Sequence, residues 1–329
     1  MKAAVATRYG PPEVLTLTDV PTPVPADREV LVRVHASTVC YGDWIVRKGP
    51  AMVRLLNGLR RPKVRILGVD LAGTVESVGR SVTRFAPGDE VFGSRGDKFG
   101  AHAEYACVAE DGFLAPKPAN VSLEEAATVF VGGCCALYFL RKANIQPGER
   151  VLVHGASGSL GTFAVQLAKH YGAHVTGVCG PANLDLVKAL GADEVIDYTR
   201  QDFTQTTASY DVICDVLGKA GFPRSLRALK RGGRYLLVGM PMRVGAITAV
   251  LLRGFWAHMT GAARFVTGAA APVQADLDFL KELIEAGQLR TVVGRTYPLA
   301  DIVEAHRYAE SGHKVGNVVV LVTADTEAG

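Results

Sequence analysis

The rhythm of apolar and polar positions changes near Asn120. Before it, short β-branched runs at Glu29–His35, Gly73–Val78, Glu90–Phe92 and Ala103–Val108 alternate with Pro- and Gly-rich stretches such as PTPVPAD and APGD. That pattern predicts a β-leaning region over residues 1–120, with Gly42–Lys48 its clearest helix. Beyond Asn120, helical and strand patterns take turns. Glu124–Ala143 reads as a helix, Arg150–His154 as a strand, Leu160–Tyr171 as a helix and His174–Cys179 as a strand. Asn183–Leu190 (helix), Glu194–Asp197 and Asp211–Val216 (strands), Phe222–Leu229 (helix) and Gly233–Val238 (strand) follow. Such alternation predicts a parallel sheet with helices on both faces, and its strands are almost wholly apolar, as strands buried on both sides must be. After Met240 the rhythm loosens. An apolar segment, Ile247–Val266, is interrupted by Arg253, His258 and Arg264; helix Gln274–Ala286, a strand, helix Ala300–Ala309 and strand Asn317–Val322 close the chain.

Length and composition narrow the class. At 329 residues the chain suits two domains of roughly 100–200 residues each. With 48% hydrophobic and 21% charged residues it can bury a large core. The net charge of +4 is spread without a basic stripe, which argues against nucleic acid. Six cysteines contain no CxxC pair, the N-terminus lacks a signal-peptide profile, and Ala126–Leu140 is too short and too rich in Gly and Cys to span a bilayer. A cytoplasmic protein is expected.

Residues 151–180 carry the chemistry. An apolar strand runs into Gly155-Ala156-Ser157-Gly158-Ser159-Leu160-Gly161, which opens an amphipathic helix, and a second strand ends about 20 residues later. Glycines there let the backbone approach a pyrophosphate, while the helix start offers free N–H groups and the positive end of its dipole. A dinucleotide site is expected. NAD enzymes usually place an acid at the end of the second strand; here Val178-Cys179-Gly180-Pro181 has none, which leaves room for a 2′-phosphate. NADPH is therefore expected, with NADH the alternative, and Asn183, Lys188 and Tyr198 are the nearest donors beside Gly180. Each of the three also has an ordinary reading as a capping or surface residue.

With these motifs in order, the chain resembles the medium-chain dehydrogenase/reductase superfamily, in its zinc-free quinone oxidoreductase and enone-reductase branch. The landmarks are the Gly-Pro-Pro-Glu-Val-Leu opening, VRVHAS…GDWIVRKG (32–49), LGVDLAGTVESVG (67–79), FAPGDEVFG (85–93), the glycine loop, LGADEVIDY (190–198), DVICDVLG (211–218) and VGNVVVLV at the end. The resemblance implies an α/β fold: a GroES-like β-rich catalytic domain over 1–121, completed by 271–329, and a Rossmann doubly wound parallel-sheet domain over 122–270. It places the active site in the cleft between them and implies a homodimer, with Ile247–Val266 packing at its interface.

By the same resemblance, Cys40 occupies the first zinc-ligand position of the metal-dependent members. The second is Val69, beside Asp70, and the third falls at Gly132. One thiolate and one carboxylate fall short of the three protein ligands a catalytic zinc usually takes, so no metal is expected. Without a Lewis acid, reduction of a conjugated enone, enal or quinone is easier than alcohol oxidation, because the acceptor's conjugation spreads the charge. Proton delivery falls to solvent or to a phenol: Tyr41 is the nearest candidate, with packing its alternative role, and Trp44 would form an apolar wall. Asp43 matches an Asp that caps or braces the pocket-side helix. Cys40 and Cys135 stand at cofactor-side positions where relatives carry Asn and Thr. Leu217, Gly239 and Met240 end strands where relatives meet the cofactor through backbone, and Asn317 replaces a Lys of the closing motif. His35, His154 and His306 read as structural. Competing readings are a zinc-type alcohol dehydrogenase and a cofactor-binding scaffold or membrane-peripheral protein with little catalysis.

Overall fold

A computed structural model describes residues 1–239 and 244–322 and divides the chain into two compact units. The first holds Met1–Val131, Val273–Gly287 and Thr291–Gly329; the second holds Gly132–Pro272 with Gln288–Arg290. Met240, expected beside the cofactor, and residues 323–329 lie outside the described residues.

The first unit begins with the β1 (Lys2–Ala6) and β2 (Leu15–Asp19) hairpin and then β3 (Glu29–Thr38). Helix α1 (Tyr41–Lys48) and a second helix, α2 (Ala51–Asn57), follow, the latter inside a stretch whose conformation the sequence pattern does not disclose. Strands β4 (Asp70–Val78), β5 (Glu90–Ser94), β6 (Tyr105–Ala109) and β7 (Leu114–Pro116) lead to α3 (Leu123–Ala126). Ser122 starts α3 with a capping box: its hydroxyl accepts from Glu125 N–H, and the Glu125 carboxylate accepts from Ser122 N–H.

The expected continuous helix over Glu124–Ala143 is instead broken. After α3 comes a five-residue π turn, Phe130–Cys134, and then α4 (Cys135–Ala143) in the second unit. Leu123–Ala143 taken as one run is long and apolar enough by length and composition to cross a membrane, but 67% of its most apolar window is buried in the protein, as in a core helix.

The second unit continues with β8 (Arg150–His154), α5 (Ser159–His170), β9 (His174–Cys179), α6 (Leu184–Ala189), β10 (Glu194–Asp197), β11 (Tyr210–Asp215), α7 (Phe222–Ala228) and β12 (Leu229–Leu237). The apolar stretch 247–266 resolves into helix α8 (Val244–Met259) and a further strand, β13 (Ala263–Thr267). All six strands run parallel in the order β10-β9-β8-β11-β12-β13. In chain order within the unit this is 3-2-1-4-5-6, the Rossmann arrangement, whose ligands bind beyond the carboxyl ends of the strands where the order reverses. The central strands show why the fold holds: Val151, Leu152, Val153, Val212 and Ile213 are wholly buried, each side chain contributing roughly 1.5–3 kcal/mol of transfer free energy.

The chain then returns to the first unit through α9 (Gln274–Glu285), β14 (Val293–Pro298), α10 (Ile302–Glu310) and β15 (Asn317–Leu321). β15 pairs with β3, so the last strand of the chain sits inside the sheet β14-β15-β3-β4-β5-β7, with β6 also on β3. Residues far apart in sequence, among them Val32, Leu71, Val91, Ile302 and Val320, share that unit's core.

Candidate functional site

In the second unit the strand register brings the carboxyl ends of the central strands level: His154 faces Val178 on one side and Asp215 on the other, and Asp215 faces Leu237. The glycine loop rises from this row. Gly155 adopts φ +89, and a Cβ on Gly161 would stand 2.1 Å from the Gly155 carbonyl oxygen, so the loop closes only with glycine there. Helix α5 starts at Gly158 without a side-chain cap hydrogen bond, and the start of a helix is where backbone N–H groups and the positive end of the dipole suit an anion. Ala156 is buried, its N–H donating to Val178 O, while Ser159 and Leu160 are half-buried on the opening turn.

Other expected positions converge on this loop. Leu217 lies over Gly155, and a Cβ on Gly218 would meet the Gly239 carbonyl at 1.9 Å, so the turns after β11 and β12 are stacked backbone to backbone. Asn183 Nδ2 donates to Ser157 Oγ at 3.4 Å, and the Tyr198 ring packs by Gly180. The π turn also reaches it: a Cβ on Gly132 would strike Ser159 Oγ and Phe163, which places the start of α4, with the half-buried Cys135, near the first turn of α5. Lys188 stands apart, exposed on α6 with no contact tying it to the loop. The acid nearest the end of β9 is Asp197, opposite Cys179; its Oδ1 accepts from the N–H and hydroxyl of Thr199, which turns it into its own bend. Burial, then Asp197, pushes the Cys179 thiol up to about 11.

Beneath the loop lies a polar group that the sequence pattern treats as ordinary. Asp215, fully buried, accepts from His154 Nδ1 at 2.8 Å, from the Tyr235 hydroxyl at 2.7 Å and from Ala220 N–H at 3.1 Å. Burial, and after it the Asp215 charge, pushes the Tyr235 phenol far up, so it keeps the proton that it donates to Asp215.

In the first unit, Cys40 is the N-cap of α1. Asp43, fully buried, accepts from Cys40 N–H at 2.8 Å through one oxygen and from Gly68 N–H at 2.7 Å through the other. It therefore caps the helix and ties it to the Gly68 loop at once. Tyr41 is 46% exposed and meets the half-buried Trp44 edge to face at 4.7 Å; burial raises its phenol above the ordinary value. Lys48 Nζ stands 4.8 Å over the Trp44 ring.

Asp70 is spent on the fold: its carboxylate accepts from Thr38 Oγ1 at 2.8 Å and Val131 N–H at 3.2 Å, while burial above all drives it well above the usual carboxylate range. Burial, followed by the Asp43 and Asp70 charges, likewise pushes the Cys40 thiol well up. One residue here escapes sequence reading. Lys314, arriving from the far end of the chain, donates to Gly316 O and lies within electrostatic reach of Cys40; burial lowers its ammonium to about 8. Asn317, by contrast, directs its amide to Val292 O at 3.1 Å, a contact between the starts of the parallel strands β14 and β15. Of the positions the resemblance gives to zinc ligands, Cys40 is a thiol, Val69 is apolar and Gly132 has no side chain, while the Asp70 carboxylate next to Val69 is turned to Thr38 and Val131. Among the described residues no group of three or more His, Cys, Asp or Glu side chains could hold a metal.

Comparison with known proteins decides the family. Residues 26–119 match the alcohol dehydrogenase GroES-like domain, and residues 190–320 match a family described as zinc-binding dehydrogenase. The chain is 32% identical to the NADPH-dependent alkenal/one oxidoreductase, chloroplastic, of Arabidopsis thaliana, over 97% of this chain and 79% of that protein. The chain belongs to the medium-chain dehydrogenase/reductase superfamily, in its quinone oxidoreductase branch. Among solved structures, the quinone oxidoreductase from Coxiella burnetii superposes with a TM-score of 0.86 at 30% identity, covering 98% of this chain and 99% of that one. The Escherichia coli quinone oxidoreductase complexed with NADPH gives 0.83 at 26%, covering 98% and all of that chain. The β-rich first unit is thus the superfamily's GroES-like domain, the second its Rossmann-type domain, and the chain is an oxidoreductase.

Proposed function

We propose that this oxidoreductase passes hydride from NADPH to a quinone or an α,β-unsaturated carbonyl, without a metal. The observation that carries the reading is an intact dinucleotide cradle in a chain whose zinc-ligand positions keep only the Cys40 thiol, with Val69 and Gly132 at the other two. Gly155 and Gly161 leave a cradle that any side chain would fill, and the uncapped start of α5 beside it suits a pyrophosphate. When bound there, NADPH supplies the hydride. The second strand ends in Cys179-Gly180, Asp197 is held by Thr199, and Asn183 and Tyr198 offer donors, all of which favours a 2′-phosphate. The Arabidopsis relative is an NADPH-dependent oxidoreductase, and the Escherichia coli quinone oxidoreductase is complexed with NADPH.

The residues of α1 do the remaining work in this reading. Asp43 holds the helix start rigid, Trp44 and Tyr41 give the acceptor an aromatic wall, and Tyr41 keeps its proton through neutral pH, ready to donate it. No Lewis acid is needed, since the acceptor's conjugation carries the developing charge. The Asp70 carboxylate is engaged by the Thr38 hydroxyl and the Val131 N–H, which turns it to the fold rather than to a ligand role beside Cys40. Six thiols with no disulfide among them suit a reducing compartment such as the cytoplasm.

The partner copy of a homodimer would cover β13, an edge strand with one side unpaired, and the outward face of α8, where Leu252, Phe255, Trp256 and Met259 are each about two-thirds exposed. Sedimentation equilibrium tests it: a monomer mass at micromolar concentration removes the dimer.

The deciding assay follows NADPH oxidation with a quinone and with an enal, each with and without EDTA. Turnover that survives EDTA is expected. Loss of turnover on chelation, with recovery on added zinc, would return the chain to the zinc-type alcohol dehydrogenase reading, and NADPH binding without reduction of either acceptor would favour the scaffold reading.

A further inference from the structure

We propose that α2 and the loop after it form a docking surface for an anionic lipid bilayer. Met52, Leu55 and Leu56 stand at i, i+3 and i+4 on α2, a spacing that marks a helix face meant for burial, and Leu59 follows just past the Gly58 that ends the helix. Yet these four side chains are 49%, 72%, 76% and 69% exposed. The outward aim of the stripe is built into the unit. Arg54 Nε donates to Gly49 O at 2.6 Å while its guanidinium lies 4.9 Å over the Tyr9 ring. The Tyr9 hydroxyl donates to Gly58 O at 2.8 Å, and Asn57 accepts from Val64 N–H at 2.9 Å and, through its carbonyl, from Lys63 N–H at 2.7 Å. The polar side of α2 is thereby fastened to its own unit, and the leucines are left to something else.

Charge says what that is. Between Asp43 and Asp70 the sequence has no acid, and Arg60, Arg61, Lys63 and Arg65 are all exposed and meet no carboxylate among the described residues. An apolar stripe rimmed by unpaired cations matches the boundary between acyl chains and anionic headgroups. A second copy of this chain fits poorly, because a two-fold contact would set the same cations against themselves. The α8 stripe differs in this respect: it adjoins an open sheet edge, which a second copy can complete. Nucleic acid would use the cations and leave the leucines in water.

Flotation of the full chain with vesicles of phosphatidylcholine, alone or mixed with phosphatidylglycerol, tests the proposal without calling on turnover. The chain is expected to float with the mixed vesicles only, and less so at high salt. Leu55→Glu/Leu56→Glu and Arg60→Glu/Arg61→Glu should each lower the vesicle-bound partition about tenfold or more, since one basic side chain at an anionic surface is worth roughly fivefold. Unchanged circular dichroism and NADPH affinity would show that both variants are folded. The proposal fails if the unaltered chain stays unbound with mixed vesicles, or if either variant floats as well as it does. It also fails if the leucine variant lowers the native mass in sedimentation equilibrium, which would make the stripe a contact between copies.

Discussion

His154 and Asp215 end neighbouring parallel strands and meet there, Nδ1 to Oδ1, at 2.8 Å. The same carboxylate takes the Tyr235 hydroxyl and the Ala220 N–H, so one buried charge gathers β8, β11, β12 and the turn after β11 directly under the dinucleotide loop. Removing it leaves three donors without a partner. Asp215→Ala is expected to destabilise the protein by about 3 kcal/mol or more, whereas Tyr235→Phe, which removes one of the three bonds, should cost about 1–2 kcal/mol. Urea unfolding followed by circular dichroism measures both; equal losses for the two variants would show that the carboxylate is not the hub.

The glycine loop permits a sharper separation of binding from folding. A Cβ on Gly161 would stand 2.1 Å from Gly155 O and 2.9 Å from Ala156, both backbone, so neither neighbour can swing away. Gly161→Ala should push Gly155 out of the line it shares with the start of α5 and raise the Kd for NADPH by about tenfold or more, a change of about 1.4 kcal/mol. Nicotinamide fluorescence titration reads it. Gly88, where an added Cβ meets nothing, also has positive φ (+97) and serves as the control: Gly88→Ala should cost stability but leave the NADPH Kd unchanged.

His306 gives a pH dependence of known sign. It is fully buried, its two ring nitrogens have no hydrogen-bond partner among the described residues, and burial, then the nearby His102 and Arg47, hold it well below its ordinary value. The unfolded chain takes up a proton at about pH 6.5 and the folded chain does not, so this residue's contribution is complete above that value. As pH falls below it, stability is lost by up to about 1.4 kcal/mol per unit until the folded histidine also titrates. The difference in urea stability between the parent and His306→Gln, taken from pH 8 down to pH 5, should narrow or reverse toward acid. A constant difference across that range would mean the histidine carries no such linkage.

How much of this could be read from the chain alone follows from the range of the contacts. The glycine cradle is local, a strand, seven residues and a helix start, so periodicity and glycine spacing disclose it. The apolar central strands are legible for the same reason. Strand β13 is not, because it is an edge strand whose Arg264 is exposed, and the apolar helix before it hides the boundary. Helix α2 is hidden because its apolar stripe faces outward among arginines. The longer-range pairs are invisible in sequence: His154 meets Asp215 across 61 positions, and Lys314 comes to Cys40 only because β15 pairs into the sheet beside β3. At Asn317 the family pattern has a Lys, and here the shorter amide donates to Val292 O, a partner 25 positions away that local sequence does not disclose.

Tyr41 offers the test closest to the chemistry. Its ring is braced edge to face on Trp44, the residue is nearly half exposed, and burial of the rest holds its ionisation above the ordinary phenol value. A phenol of that kind stays protonated across the neutral range, so a rate that depends on it should be flat with pH until strongly alkaline conditions and then fall. Tyr41→Phe keeps the packing and removes the proton. It should lower kcat for an enal about a hundredfold, the usual scale for loss of a positioned acid, with the NADPH Kd unchanged. Trp44→Ala should instead raise KM by removing an apolar wall while leaving the pH profile as it was. If Tyr41→Phe turns over at the parent rate, the proton comes from solvent, and the ring serves only to pack against Trp44 and shape the pocket.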